Sequence, residues 1–347
     1  MEEEHMRRTI GFLSLLGIFY AVALAAGQAH PELTEVDAWL VRDPQMSSQF
    51  VVADALDYFK DEGIKVNIRW YISGTDLPSM WGAGNIHLGT ATATMLVPIA
   101  ASGQSIYNIA PQSDVAGTQQ FVLGRKAKVN TPKDLEALKI GMAKGSSITM
   151  AIEAMCKETG VDFDKLQFIN LSPPDQVTAL AKGDIDAMAA WAPWVINAVK
   201  QAKGKVYFTG NHSYIPGKEG PVDWLLVHAG VVASGEYVQK YPQTLKAVLR
   251  ALRRATETIN QERDKVVPII AREMKLPEET ARDIMALNIY SMEMNDKIYR
   301  GMGEFVEFLH TLDRIPQKID PGSVFYTKLL EEVDLSLVKW KSTTALK

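Results

Sequence analysis

The sequence predicts an α/β fold with room for two lobes. With 347 residues, the chain is long enough for two cores. Apolar strand-like runs alternate with helix-like runs through the first two thirds, a pattern typical of largely parallel sheets. The predicted strands are 36–41, 66–71, 86–89, 106–110, 120–123, 139–143, 167–171, 185–190 and 206–209.

Helical patterns fill the gaps between these strands and dominate the last third. The predicted helices are 50–62, 91–102, 150–159, 175–182, 242–260, 277–287 and 296–312. In the helix over 242–260, one face carries apolar residues and the other is basic: Leu245, Val248, Leu249, Leu252 and Ile259 against Lys246, Arg250, Arg253 and Arg254. A basic face of this kind can meet a membrane surface, but a solvated face explains it more simply.

Charge and cysteine usage narrow the class of protein. A net charge of -4 and a pI near 5.9 give no support for nucleic-acid binding. Residues 1–29 resemble a cleaved signal peptide, with Arg7 and Arg8 before an apolar run and small residues at its end. The single cysteine, Cys156, excludes an intrachain disulfide. We therefore expect a monomer free in the periplasm, with an uncleaved anchor as the alternative.

Three strand-to-helix turns share small polar residues. They contain Ser73-Gly74-Thr75, Thr90 with Thr92, and Ser146-Ser147 after Lys144-Gly145. The amino end of a helix has unpaired N–H groups and the positive end of the helix dipole, which favour an anion. Each turn alone is also explained by ordinary capping, since Ser and Thr are preferred N-caps. Their recurrence predicts binding of a small anion at the carboxyl ends of the strands.

Aromatic residues provide a second candidate wall for a ligand. Trp191 and Trp194 flank Pro193 after a predicted strand, where indoles either cover a ligand or pack in the core, and Trp224 repeats the theme more weakly. The six histidines are scattered, and no nucleophile elbow, Walker loop or metal-ligand spacing is present in the sequence. We therefore expect no enzyme activity and no cofactor.

These blocks together resemble periplasmic substrate-binding proteins of ABC importers, in the nitrate/sulfonate/taurine branch. The stretches that carry the resemblance are SGTDLPSMWGAGNIHLGTAT (73–92), VNTPKDLEALKIGMAKGSS (129–147) and LSPPDQVTALAKGDIDAMAAWAPW (171–194). The resemblance implies that lobe one holds 35–122 and 225–347 and that lobe two holds 123–224. It also implies hinges near 121–124 and 223–227, and closure of the lobes on the ligand. Its partners would be an inner-membrane permease and a cytoplasmic ATPase.

The resemblance implies the pocket positions Ser73, Gly74, Thr75, Thr90, Thr92, Ser146, Ser147 and Trp191. Arg42 is an additional candidate partner for an anion. The chain departs from sulfonate-binding relatives at Ala192, where they often carry an aspartate that could bind an amine. Taurine is therefore disfavoured unless Asp114 or Asp223 replaces that acid. A planar heterocycle such as a pyrimidine vitamin precursor, and an exported enzyme on the same fold, are the alternatives.

Overall fold

The structure is a computed structural model that describes residues 34–71, 77–84 and 86–340. The predicted signal peptide lies outside the described residues. The chain forms two β-sheets covered by helices, so the predicted α/β class is confirmed. None of the helices in these ranges is both long and apolar enough to cross a lipid bilayer.

Thirteen strands are described, and each of the nine predicted strands overlaps one of them. They are β1 (Thr34–Val41), β2 (Ile64–Tyr71), β3 (Leu88–Ala91), β4 (Ile106–Asp114), β5 (Gln119–Leu123), β6 (Lys139–Met142), β7 (Gln167–Asn170), β8 (Ala187–Trp191), β9 (Lys205–Thr209), β10 (His212–Ser213), β11 (Gly220–Pro221), β12 (His228–Ser234) and β13 (Ile289–Tyr290). The first sheet has the order β13-β4-β12-β3-β1-β2, and the second has the order β11-β10-β9-β5-β8-β6-β7.

The helices cover both sheets and make up most of the carboxyl-terminal third. They are α1 (Pro44–Ala55), α2 (Tyr58–Asp61), α3 (Leu77–Gly82), α4 (Ala93–Ala101), α5 (Ile148–Thr159), α6 (Pro173–Lys182), α7 (Trp194–Gln201), α8 (Gly235–Lys240), α9 (Pro242–Gln261), α10 (Arg263–Met274), α11 (Glu278–Ala286), α12 (Asp296–Thr311) and α13 (Lys328–Val333). The apolar face of α9 is fully buried, as predicted. Its basic face pairs with carboxylates of neighbouring elements, including Glu62, Asp61 and Glu332.

Strand direction differs from the prediction of largely parallel sheets. Strands β1 and β3 are parallel, as are β6 with β7 and β6 with β8. However, β12 runs antiparallel to both β3 and β4, and β5 runs antiparallel to both β8 and β9. The reason is topological: β5 and β12 enter their sheets directly from the other half of the chain, without the crossover helix that a parallel connection needs.

The chain passes between the sheets twice, and the two passages are adjacent. Residues 115–118 lead from β4 to β5, and residues 222–227 lead from β11 to β12. The amide of Val115 donates to the carbonyl of Val227 at 3.1 Å. The first hinge was predicted near 121–124, but these residues lie in and just after β5 of the second sheet, and the chain passes between the sheets before them. Both connections are short and lie next to each other.

Packing ties α11 and α12 to these passages and to the second sheet. Ile284 of α11 is buried in a cluster with Val195 and Ala198 of α7. Lys200 of α7 pairs with Glu279 and Asp283 of α11, each at 2.7 Å. Gly301 of α12 is buried against the carbonyl of Leu226 in the second passage. The carboxyl-terminal helices therefore contact both halves of the molecule.

Candidate functional site

The start of α1 joins the two halves at the carboxyl edge of the first sheet. Asp43 caps the helix by accepting from the amide of Met46 at 2.8 Å, and Pro44 occupies the first helical turn. The side chain of Gln45 then forms two hydrogen bonds to residues outside the first sheet. Its Nε2 donates to the carbonyl of Ala192 at 3.3 Å, and its Oε1 accepts from Thr118 Oγ1. The residue is only 6 % exposed, so this link lies in the interior.

Burial also changes the acidity of the capping residue. Desolvation raises the pKa of Asp43 to about 6, while hydrogen bonds from the amides of Met46 and Gln45 act in the opposite direction. The carboxyl group therefore changes charge in a mildly acidic range. This places a titrating group directly beside the Gln45 link.

The turn before α5 has the unpaired donors that the sequence predicts. The amides of Gly145, Ser147 and Ile148 donate to no other atom in the described part of the chain. The hydroxyl of Ser146 also has no hydrogen-bond partner in this part of the chain, and the residue is only 8 % exposed. Because the helix dipole adds positive potential, this turn is suited to an anion.

Ser147 connects this turn to the tryptophan at the end of β8. Its hydroxyl donates to Gln119 Oε1 at 3.3 Å, and Gln119 is the cross-strand partner of Trp191. Trp191 and Trp194 are half-buried at the edge of the apolar cluster beneath α6 and α7. The structure therefore brings Ser147, Trp191 and the Gln45 link into one connected group.

The predicted residues of the first sheet lie at the same edge as α1. Because β1 and β3 run parallel, Thr92 at the end of β3 and Asp43 at the end of β1 share one edge of the sheet. Thr90 is fully buried, its hydroxyl has no partner among the described residues, and its carbonyl accepts from the Tyr71 hydroxyl at 2.6 Å. The hydroxyl of Thr92 lies 2.9 Å from that of Thr94. Ser73, Gly74 and Thr75 lie outside the described residues.

Two predicted residues, Arg42 and Asp223, are already engaged by protein partners. Arg42 donates to the carbonyl of Glu273 at 2.7 Å and stacks 4.4 Å above the Trp70 ring. Asp223 pairs with Lys297 at 2.7 Å and with Arg300 at 3.2 Å, and the Lys297 hydrogen bond lowers the pKa of this carboxyl group. These contacts explain Arg42 and Asp223 without a ligand.

Trp224 also has a structural explanation. The side chain is 6 % exposed and its Nε1 donates to Glu158 Oε2 at 2.7 Å. Its ring meets that of Phe208 edge-on at 5.3 Å. An indole this deeply packed leaves little surface for a ligand. Its contacts instead attach the second passage to α5.

Asp114 is the last residue of β4, directly before the first passage between the sheets. Its Oδ1 accepts from the amide of Ala116 at 2.8 Å, which shapes the turn after β4. It lies opposite His228 on β12. Burial lowers the pKa of His228, and the negative charge of Asp114 opposes that shift. The position suits a hinge residue better than an exposed counter-charge for a ligand.

Cys156 lies buried within α5. Burial raises the pKa of the Cys156 thiol to about 12, so the group stays protonated and weakly nucleophilic near neutral pH. The described residues contain no group of three or more His, Cys, Asp or Glu side chains arranged to hold a metal ion.

Two candidate site residues, Gln45 and Gln119, were not predicted from the sequence. Gln45 was overlooked because the first helix was predicted to begin at residue 50, whereas it begins at Pro44. The Asp43-Pro44 pair is a recognisable helix start and could have placed Gln45 in the first turn. Gln119 could not be found in this way, because its position opposite Trp191 depends on strand pairing.

A small surface depression of about 30 Å³ lies outside the candidate site and is lined in part by Arg125, Lys126 and Asp186. It sits at the amino end of β8, whereas Trp191 lies at the carboxyl end of the same strand. The length of β8 therefore separates the depression from Ser147, Trp191 and the Gln45 link. We assign it no part in the site.

Comparisons with known proteins agree with this arrangement. Residues 45–265 match the sequence profile of the family described as NMT1/THI5 like. The taurine-binding periplasmic protein of Escherichia coli K12 is 23 % identical, over 80 % of this chain and 87 % of that protein. Among solved structures, the periplasmic aliphatic sulphonate-binding protein SsuA of Escherichia coli is similar, with a TM-score of 0.69, 18 % identity, and coverage of 85 % of this chain and 98 % of SsuA.

A second similar structure is the periplasmic nitrate-binding protein NrtA of Synechocystis PCC 6803. Its TM-score is 0.62 at 17 % identity, and the match covers 88 % of this chain and 90 % of NrtA. Similarity of this kind at low identity identifies the fold. The two-sheet architecture is that of two-lobed periplasmic binding proteins.

Proposed function

The chain belongs to the NMT1/THI5-like family, and we propose that it is the solute-binding component of an ABC importer for a small anion. The observation that carries the proposal is the turn before α5. There, three backbone amides and the buried Ser146 hydroxyl have no partner in the described part of the protein. Buried polar groups are normally hydrogen-bonded, so a cluster of free donors at a helix start favours an anionic ligand.

We further propose that the two sheets form two lobes that close on the ligand. Lobe two would contain β5 to β11 and lobe one the rest, with residues 115–118 and 222–227 as the hinges. The ligand would contact both lobes only in the closed form and would shift the population towards it. Gln45, which already joins α1 to Ala192, would lie at the base of the cleft.

Ala192 and Gln45 bear on the class of ligand. Where sulfonate-binding relatives often carry an aspartate, Ala192 has no charge, and its carbonyl accepts from a neutral amide. An ammonium group placed here would lie near the positive amino end of α1, which disfavours a second positive charge, and residue 192 itself offers no carboxylate. We therefore propose an alkyl sulfonate, a nitrate-like oxyanion or a small organic acid rather than taurine.

The same proposal gives a location and partners. The names of relatives such as the taurine-binding periplasmic protein favour the periplasm, in agreement with the predicted signal peptide over residues 1–29. Delivery of the solute would then need a membrane permease with a cytoplasmic ATPase. The proposed role is capture and delivery without chemical change, carried out by a monomer.

A direct binding measurement tests the function. Calorimetry of the mature protein with butanesulfonate, nitrate and taurine should give saturable binding of at least one anion, and taurine should bind more weakly than butanesulfonate. Binding of a hydroxymethylpyrimidine with none of the anions would instead support the heterocycle alternative, for which the half-buried Trp191 and Trp194 provide a stacking surface. Turnover of a bound compound would favour the enzyme alternative.

A matched pair of serine variants tests the site. Ser146→Ala removes a hydroxyl that has no protein partner, so affinity should fall while stability is unchanged. Ser172→Ala is the control, because it lies at the corresponding turn between β7 and α6 and its hydroxyl donates to Asp175. Equal affinity of the two variants would remove the α5 turn from the binding site.

A further inference from the structure

We propose that Arg314 is the charged residue that completes the anion site from the opposite lobe. This inference rests on the proposed function and adds a specificity-determining residue to it. Arg314 follows α12, which belongs to the carboxyl-terminal helices, whereas the α5 turn belongs to the second sheet. A ligand held by both would connect the two lobes.

The backbone around Arg314 is fixed by the end of α12. Asp313 adopts a left-handed conformation with φ 54°, and its amide donates to the carbonyl of His310 at 3.0 Å. The amide of Arg314 donates to the carbonyl of Leu309 at 2.9 Å. A left-handed residue with such backbone hydrogen bonds is a common way to end a helix.

The guanidinium group lies beside the turn before α5. A Cβ atom on Gly145 would lie 3.9 Å from Arg314 Nη1 and 3.7 Å from Leu312 Cδ1. Gly145 itself has φ +77°, a conformation that favours glycine. Both distances are ordinary contacts, so the guanidinium group packs directly against this turn.

The side chain of Arg314 forms no hydrogen bond or ion pair in the described part of the chain. Seven of the eleven arginines in the described ranges have a carboxylate within 4.0 Å: Arg42, Arg69, Arg250, Arg253, Arg254, Arg282 and Arg300. Arg314 shares the lack of such a partner with Arg125, Arg263 and Arg272, but it alone of these four lies beside the α5 turn. Lys144, in the same turn as Gly145, also has no carboxylate within ion-pair distance among the described residues, and its backbone amide donates to Asn170 Oδ1 at 3.0 Å. The guanidinium group of Arg314 therefore lies near the positive end of a helix without a neutralising carboxylate, an arrangement that an anion would stabilise.

The Ser146 hydroxyl gives independent support for a ligand at this point. It is buried, belongs to the same turn and has no hydrogen-bond partner among the described residues. Together, backbone amides, a hydroxyl and a guanidinium group match an oxyanion with two or three equivalent oxygens. Arginine recognises such groups through two parallel hydrogen bonds, which a lysine cannot reproduce.

The ligand class that follows is an organic oxyanion, with the sulfonate or carboxylate end at the α5 turn and the remainder directed towards Trp191. Because Arg314 and Gly145 belong to different lobes, the anion would be fully coordinated only in the closed form. Arg314 would then set both the charge preference and the extent of closure.

The experiment compares Arg314→Gln with Arg125→Gln. Arg125 is also an exposed arginine, but it follows the carboxyl end of β5, opposite the end at which Gln119 meets the site. The probes are butanesulfonate and the neutral butanesulfonamide, measured by calorimetry. For Arg314→Gln, the affinity for butanesulfonate should fall about tenfold or more, while any affinity for the sulfonamide stays unchanged. Arg125→Gln should behave as the wild type.

The outcomes separate the inference from the proposed function. If wild-type protein binds butanesulfonate and both variants bind it equally well, the role of Arg314 is refuted and the receptor function stands. If Arg314→Gln weakens both probes by the same factor, the residue acts through packing and the inference is also refuted. If the wild type binds none of butanesulfonate, nitrate and taurine, the proposed function fails and the inference fails with it.

Discussion

Two glycines on α12 allow a direct test of how the second passage packs. A Cβ atom on Gly301 would lie 2.4 Å from the carbonyl oxygen of Leu226 and 2.8 Å from its Cβ, both far inside normal contact. A Cβ on Gly303, one half-turn away, would meet only Pro321 Cγ at 3.5 Å, an ordinary contact. The same substitution on one helix therefore has two different expected results.

The magnitudes follow from competing effects. Replacing a mid-helix glycine by alanine stabilises a helix by about 0.5–1 kcal/mol. Gly303→Ala should realise much of that gain. In Gly301→Ala, the obstacle is backbone, which cannot move aside cheaply, and overpacking costs about 1–3 kcal/mol. We expect a net loss of up to about 2 kcal/mol for Gly301→Ala, and a change in ligand affinity because Leu226 lies in the proposed hinge.

Urea denaturation of both variants, with calorimetric titration of butanesulfonate, is the measurement. The urea concentration at the unfolding midpoint should fall for Gly301→Ala and rise slightly for Gly303→Ala. If Gly301→Ala were as stable as Gly303→Ala, then α12 would not pack against the second passage as described. Reduced stability with unchanged affinity would separate this packing from closure.

Three further substitutions have defined outcomes. Asp43→Asn keeps the cap acceptor but removes a carboxylate whose pKa is raised from 3.8 to about 6. The stability from this group is present below pH 4 and lost as pH rises through 6, so the variant should be more stable at pH 7 by about 1–3 kcal/mol, with a flatter pH profile in urea titrations. Trp224→Phe removes the hydrogen bond to Glu158 and should cost about 1–2 kcal/mol, and a double-mutant cycle with Glu158→Ala should show coupling between the two sites. Gln45→Leu breaks the link to Ala192 and should cost about 1–2 kcal/mol; unchanged stability would mean that the link is absent in solution.

The local elements were predictable because their periodicities depend only on neighbouring residues. The buried face of α9 and the bounds of α11 and α12 agree with the predicted helices to within one residue or two. The missed elements have clear causes. Strand β12 (His228–Ser234) was not predicted, and its seven residues lie between β3 and β4, where only long-range pairing identifies a central strand.

The candidate site was predictable in part. The turn at Ser146 and Ser147 was identified from the change between strand and helix patterns, and its free amides are present as expected. Arg42, Asp223 and Trp224 were chosen for charge or aromatic character alone. Their partners, Glu273, Lys297 and Glu158, lie at least 66 positions away in sequence, so nothing local could have indicated that they were engaged.

The sequence by itself determined the α/β class, the family and the turn before α5, because hydrophobic period, motif order and helix starts are encoded over short stretches. Only the tertiary structure decided which strands pair, where the chain passes between the sheets, and which charges are neutralised. It also placed Arg314 beside Gly145, 169 positions earlier in the sequence. The physical reason is that pairing, burial and charge neutralisation arise between residues that are distant along the chain.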